Sequence, residues 1–183
     1  NKIKFETKDI SVMMIIILGV VITTKFYIFV ADAAFIGKWG TYLTHSVFLF
    51  AAPVAAGPMI VGLIISSGEL VWLFTAFLAF CLAIMEDFNF TFAIVCLVGG
   101  IAAARGVLNC KKRNDIYWAG VRTGLINVLL VSFLMLISKI EQDEAITEIY
   151  FAIPAAFLGG IFSSLVTMMA IPLVESLFSY TTD

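Results

Sequence analysis

Along this chain the apolar positions fall into long runs, separated by short polar knots. A helix that crosses the hydrocarbon core of a bilayer needs roughly 20 predominantly apolar residues, with about 17–25 as the usual range. Six runs meet that length, at about 10–30, 45–66, 69–86, 88–104, 116–138 and 149–178. The knots between them are brief. Ser66-Ser67-Gly68-Glu69 reads as a tight turn followed by a helix start, the Glu69 carboxylate being favoured at the N-terminal dipole. Short connections make consecutive helices antiparallel neighbours. The pattern therefore predicts an all-α, integral membrane helical bundle of about six transmembrane helices, forming a single transmembrane domain over 1–183.

Lys25 interrupts the first run. Two segments, 10–24 and 26–37, would leave the second too short to cross, so one long helix is expected. On such a helix Lys25 and Asp32 share a face, and Lys25 is expected to snorkel toward the headgroups.

Composition strengthens the reading. The chain is 62% hydrophobic and 13% charged, with mean hydropathy +1.07, whereas soluble domains run about 45–50% apolar and about 25% charged. A water-soluble fold of 183 residues could not hide that much apolar surface. A formal net charge of −2 offers no basic stripe for phosphates, which argues against a nucleic-acid partner. Cys81, Cys96 and Cys110 form neither a CxxC pair nor an even set, so no disulfide framework or zinc site is expected. A signal peptide over 1–34 is rejected, because the apolar stretch exceeds an ordinary h-region and more spans follow. Asn1 in place of a Met suggests numbering that starts inside a longer gene product.

Charge sets the orientation. With the N-terminus inside, segments 1–9, 66–69 and 105–115 hold Lys2, Lys4, Lys8, Arg105, Lys111, Lys112 and Arg113. The opposite loops hold Lys38 and Lys139 beside Asp32, Glu86, Asp87, Glu141, Asp143, Glu144 and Glu148. Lysine and arginine are retained on the cytoplasmic side, so both termini are expected there.

Lipid tails give helices no hydrophobic reason to associate, and close approach depends on small residues. Gly120 and Gly124 form a GxxxG in the fifth run. Ala155-Gly159-Ser163 and Ala156-Gly160-Ser164 form two adjacent ladders in the sixth, and Gly99/Ala103 with Gly100/Ala104 repeat the device in the fourth. Such patterns serve the inside of one bundle or the interface of a homodimer. Pro53 and Pro58 bracket Val54-Ala55-Ala56-Gly57 in the second run. There a kink that improves helix contact is expected, in preference to the broken helix of a transporter site.

No catalytic constellation is present. His45 is the single histidine, at the start of a span, and no GxSxG, HExxH, Walker or GxGxxG pattern occurs. No catalytic, cofactor-binding or metal residue is assigned. His45, Arg122 and Asn127 are the intramembrane polar candidates: His45 as a helix-end group, Arg122 snorkelling, Asn127 in an interhelical hydrogen bond.

At the C-terminus, Phe157-Leu158-Gly159-Gly160-Ile161-Phe162-Ser163-Ser164 is followed by Ile171-Pro172-Leu173-Val174-Glu175-Ser176-Leu177-Phe178 and Ser179-Tyr180-Thr181-Thr182-Asp183. This resembles the end of the membrane domain in the seven-transmembrane HD phosphohydrolases (the 7TMR-HD family of bacteria). Phe50 to Met59 and the stretch from Arg113 through Gly120 to Asn127 are similar to further parts of that family. The resemblance implies a parent with an extracytoplasmic domain and a cytoplasmic HD domain, both outside this chain, and metal-dependent hydrolysis of cyclic-di-AMP. Divalent metals are expected in the HD domain, not here. This chain would then be the anchoring and signal-relaying domain in a bacterial cytoplasmic (inner) membrane, with the bilayer and its own flanking domains as partners. Pro172 and Glu175, where the last helix leaves the bilayer, are the candidate coupling joint. The alternative is a six-helix small-molecule carrier, such as the substrate-binding subunit of an energy-coupling-factor transporter.

Overall fold

The computed structural model describes residues 7–36, 44–65, 67–108, 110, 112–142 and 147–178. Among them six helical spans are long and apolar enough to cross a membrane, and no strand occurs. The chain is an all-α, multi-pass membrane protein.

Helix α1 (Thr7–Ala31) runs unbroken through Lys25 and widens into a π-type turn over Asp32–Ile36. The second span consists of two short helices, α2 (His45–Ala51) and α3 (Ala56–Ile64). Then come α4 (Gly68–Met85), α5 (Phe90–Val107), α6 (Arg113–Gln142) and α7 (Thr147–Phe178). At 30 and 32 residues, α6 and α7 exceed the bare crossing length.

The expected kink in the second span is a full interruption. Ala52 is extended (φ −64°, ψ 140°), as steric conflict with the following Pro53 ring requires. Pro58 falls in the first turn of α3, where a missing N–H costs nothing. The freed backbone groups find near neighbours: Ala52 N–H donates to Leu49 O (3.2 Å), Val54 N–H to Ala52 O (2.8 Å) and Ala56 N–H to Pro53 O (3.3 Å). Irregular backbone at membrane depth survives only inside protein, and every residue from Leu49 to Gly62 is buried. The broken span is the core, and the other helices surround it.

The outer helices show why. On α1 the buried positions Val12, Ile16, Val20, Thr24, Ile28 and Ala31 make one stripe, while Met14, Leu18, Ile22, Phe26 and Phe29 are exposed. In lipid those apolar side chains are solvated, and no soluble surface is implied.

The most extensive interface joins α6 to α7. A Cβ on Gly124 would lie 2.7 Å from Phe157 O, and one on Gly120 would lie 2.8 Å from Gly160 O. The two ladders on α7 divide the work: Gly160 rests on Gly120 and Gly124 of α6, and Gly159 rests on the Phe50 carbonyl of α2. The hydroxyls of Ser163, Thr167 and Thr123 return to carbonyls four residues back (2.7, 2.7 and 2.9 Å), so they are buried without cost to the seam.

Between α4 and α5 the chain turns through Asp87 and Phe88, both left-handed (φ 52° and 59°). Asn89 caps α5 by accepting from Phe92 N–H at 3.0 Å. That cap moves the helix start to Phe90, two residues later than the apolar run suggests.

Candidate functional site

Polar residues that are far apart in sequence meet at one end of the bundle. His45 opens α2 with Nδ1 3.2 Å from Asp32 Oδ1 and Nε2 2.8 Å from Glu86 Oε2. Lys25 donates to Glu86 Oε1 at 3.4 Å and to Met85 O at 3.3 Å. Preceding His45, Thr44 donates through Oγ1 to Glu148 of α7. Two successive residues thus tie the start of α2 to the ends of α1, α4 and α7.

Chemically this is a clasp. Both His45 ring nitrogens face carboxylate oxygens, and only an imidazolium donates at both. The ring and Asp32 are each 44% exposed, whereas the Glu86 side chain is 8% exposed. Solvent screens the Asp32 arm to a fraction of a kcal/mol, and the sheltered Glu86 arm is the stronger one. Because opposite faces of the ring engage different carboxylates, the three groups do not converge on one point. Among the described residues no three such groups could hold a metal ion.

Lys25, expected from sequence to snorkel toward the headgroups, also has a protein partner 61 residues away and keeps its side chain 57% exposed. The acidic pair Glu86–Asp87 also divides: Glu86 is drawn into the clasp, and Asp87 stands exposed in the turn. The sequence marks both as polar residues closing an apolar run, and nothing local distinguishes them.

The remaining candidates lie elsewhere. Asn127 of α6 is 5% exposed, with its Oδ1 against Gly99 of α5 and without a hydrogen-bond partner. The expected interhelical bond is not made by this oxygen, because the neighbouring helical N–H groups are taken by their own ladders. Arg122 is exposed on α6. Its charge reaches Cys110, where it partly offsets the upward push on the thiol from burial and from the Asp115 carboxylate. Pro172 sits exposed inside α7, which continues to Phe178. Glu175 lies on the same helix, with its side chain outside the described residues. A crevice of about 200 Å³ opens between α1, α3 and α7, walled by Gly19, Val20, Pro53, Ile60 and Ala170. Its wall bears no titratable group.

Comparison with known proteins gives a consistent picture. The family model for the 7TM receptor with intracellular HD hydrolase (7TM-7TMR_HD) matches residues 1–182. A curated protein, "Cyclic-di-AMP phosphodiesterase PgpH" of Listeria monocytogenes serotype 1/2a (strain 10403S), is 28% identical over 142 residues. That alignment covers 76% of this chain and 19% of the relative, so the chain spans about a fifth of that protein's length. No solved structure matches.

Proposed function

Because the chain belongs to the family of 7TM receptors with an intracellular HD hydrolase, we propose that it is the membrane-embedded relay of a larger protein, governing a cytoplasmic hydrolase domain. The reaction governed is hydrolysis of cyclic-di-AMP, the substrate in the relative's name. Divalent metals belong to that hydrolase domain, and no residue of this chain is assigned to them or to the chemistry.

The membrane is the bacterial inner membrane, with both termini inside. Arg105, Lys112 and Arg113 stand at one end of the bundle, with Arg105 5.9 Å from the Trp72 ring and Tyr117 and Trp118 exposed close by. Basic and aromatic groups at that level suit the cytoplasmic interface. The clasp end, rich in Asp and Glu, is then outside.

One observation carries the relay: α7 is a single helix with its outer end tied to α2 through Glu148 and its inner end at Phe178. It is zipped along α6 through glycine contacts that leave no slack. Displacement at the clasp is thereby delivered to the inner end, past Pro172 and Glu175, where a hydrolase domain would attach. Gly120, Gly124 and Gly160 are spent in the α6–α7 seam and Gly159 against α2, so a homodimer would use other faces.

The test uses the longer protein in vesicles, with cyclic-di-AMP hydrolysis as readout. The pair Thr44→Val and His45→Ala opens the clasp, and the rate is expected to change at least about fivefold, since a coupling of 1–3 kcal/mol spans roughly 5–150-fold. Pro172→Ala or Glu175→Gln should blunt that change. An unchanged rate in a folded protein refutes the relay.

A further inference from the structure

Within the clasp, His45 is the side chain whose charge changes near neutral pH. An imidazole ordinarily titrates between about pH 5 and 8, a range in which carboxylates and lysine ammonium groups ordinarily hold their charge. Around it, the described charged groups are Lys25 and Asp32 on α1 and its π-type turn, and Glu86 at the end of α4. Asp87 lies in the turn beyond α4, and Glu148 of α7 is held by the neighbouring Thr44. Helix α5 carries its charge, Arg105, in its last turn, at the opposite end of the bundle.

The two arms of the ring are unequal. Nε2 lies 2.8 Å from Glu86 Oε2, and that side chain is 8% exposed, with its other oxygen 3.4 Å from Lys25 Nζ. Nδ1 lies 3.2 Å from Asp32 Oδ1, and Asp32 is 44% exposed. An imidazolium donates in both directions, whereas a neutral ring has one N–H and one bare lone pair. That bare nitrogen cannot stay against a carboxylate oxygen, since both atoms only accept. Sheltered Glu86 would lose a donor that water cannot readily replace, while Asp32 exchanges the ring for solvent. The remaining proton therefore stays on Nε2, and Asp32 is the arm that lets go.

We propose that His45 is a proton-operated latch between α1 and α2, closed when the ring is charged and open when it is neutral. The Asp32 contact stabilises the closed form below the ring's titration and is lost as pH rises through it. The movement is bounded. Lys25 holds Glu86 and the Met85 carbonyl in either state, so α1 is pinned about two turns before Asp32. What swings is the stretch past that pin, ending in the π-type turn Asp32–Ile36. That external protons thereby signal to a hydrolase rests on the orientation and relay proposed above; the latch itself does not.

The chain has a single histidine, so nitrogen-15 labelling of the histidine ring yields imidazole signals that need neither assignment nor substitution. In the full chain in micelles these are followed by NMR from about pH 5 to 8, alongside hydrogen–deuterium exchange of the Asp32–Ile36 amides. Exchange rates are divided by those of His45→Ala at the same pH, which cancels the intrinsic pH dependence of exchange. At acidic pH both ring nitrogens should carry protons. The turn should then exchange about two- to fivefold more slowly than in His45→Ala, the range of a half-exposed ion pair. Above the titration Nε2 alone keeps its proton, and the ratio returns to unity. Asp32→Asn, a change at an exposed side chain, should make the ratio independent of pH, since a carboxamide can turn either a donor or an acceptor to Nδ1. A ratio that does not change with pH in the unsubstituted chain, a neutral ring protonated at Nδ1, or a pH-dependent ratio that survives Asp32→Asn overturns the proposal. No hydrolase is assayed, so that failure leaves the relay reading standing, and an uncoupled hydrolase leaves the latch standing.

Discussion

Gly160→Ala adds one methyl group at the tightest point of the α6–α7 seam. Its carbon would lie 2.6 Å from Gly120 O and closer still to the Gly124 backbone, against the 3.4 Å at which ordinary contact begins. Both obstacles are main chain, so no rotamer change relieves them, and the helices must part by roughly an ångström. Parting also loosens the approach of Gly120 to Ser164 and of Gly124 to Phe157. Overpacking costs about 1–3 kcal/mol. Alanine's better helix propensity returns up to about 1 kcal/mol, and the loosened neighbours add to the loss. A net destabilisation of about 2 kcal/mol is expected. The control is Gly19→Ala on α1, where an added Cβ meets no atom within 4 Å; it should be neutral or mildly stabilising. Reversible unfolding of the whole chain in mixed micelles, titrated with SDS, measures both. If Gly160→Ala is no less stable than Gly19→Ala, the seam is not backbone on backbone and the reasoning fails.

Asn127→Leu replaces a buried amide whose oxygen is unpartnered with an apolar side chain of similar shape. It should be neutral or stabilising by about 1 kcal/mol in the same unfolding assay, and a loss above about 1 kcal/mol would contradict the assignment. A double-mutant cycle of His45→Ala and Glu86→Gln should give a coupling of about 0.5–1 kcal/mol at acidic pH. That coupling is present while the ring carries both protons and fades as rising pH removes one. A coupling that grows with pH would reverse the donor roles assigned at the clasp. For Cys110, burial and Asp115 raise the thiol above its ordinary value while Arg122 lowers it. Maleimide labelling at pH 8 should therefore quicken a few-fold in Asp115→Asn and slow in Arg122→Gln, because the thiolate is the reactive form. Identical rates in all three proteins would remove the electrostatic account.

The six spans were legible because each depends on a local property, the length of an apolar run. So were the contact surfaces of α7: a four-residue repeat of small side chains fixes which strip of a helix can approach another. That strip Gly159 faces α2 while strip Gly160 faces α6 was not legible, since partner choice depends on tertiary contact. Pro53 and Pro58 announced a distortion, yet its depth depended on burial. The helix breaks fully where α7 and α5 close around it, and proline spacing carries no record of that. The clasp was least visible. Lys25, His45 and Glu86 come from three spans, and only the antiparallel arrangement of those spans brings them to one level. Lys25 was read against headgroups because a single helix, taken alone, presents no other partner.

The interruption between α2 and α3 has a consequence for the order of synthesis. Its backbone is sheltered by segments made later: the Phe50 carbonyl rests on Gly159, more than a hundred residues downstream. When the second span first enters the bilayer, that shelter has not been translated. Bare peptide groups at mid-depth cost several kcal/mol each, so the nascent segment must stay helical through Ala52, or remain with the insertion machinery, until the last span arrives. The break is then a finishing step of assembly. A ribosome-bound chain lacking α7 should hold its second span in a different state from the completed protein.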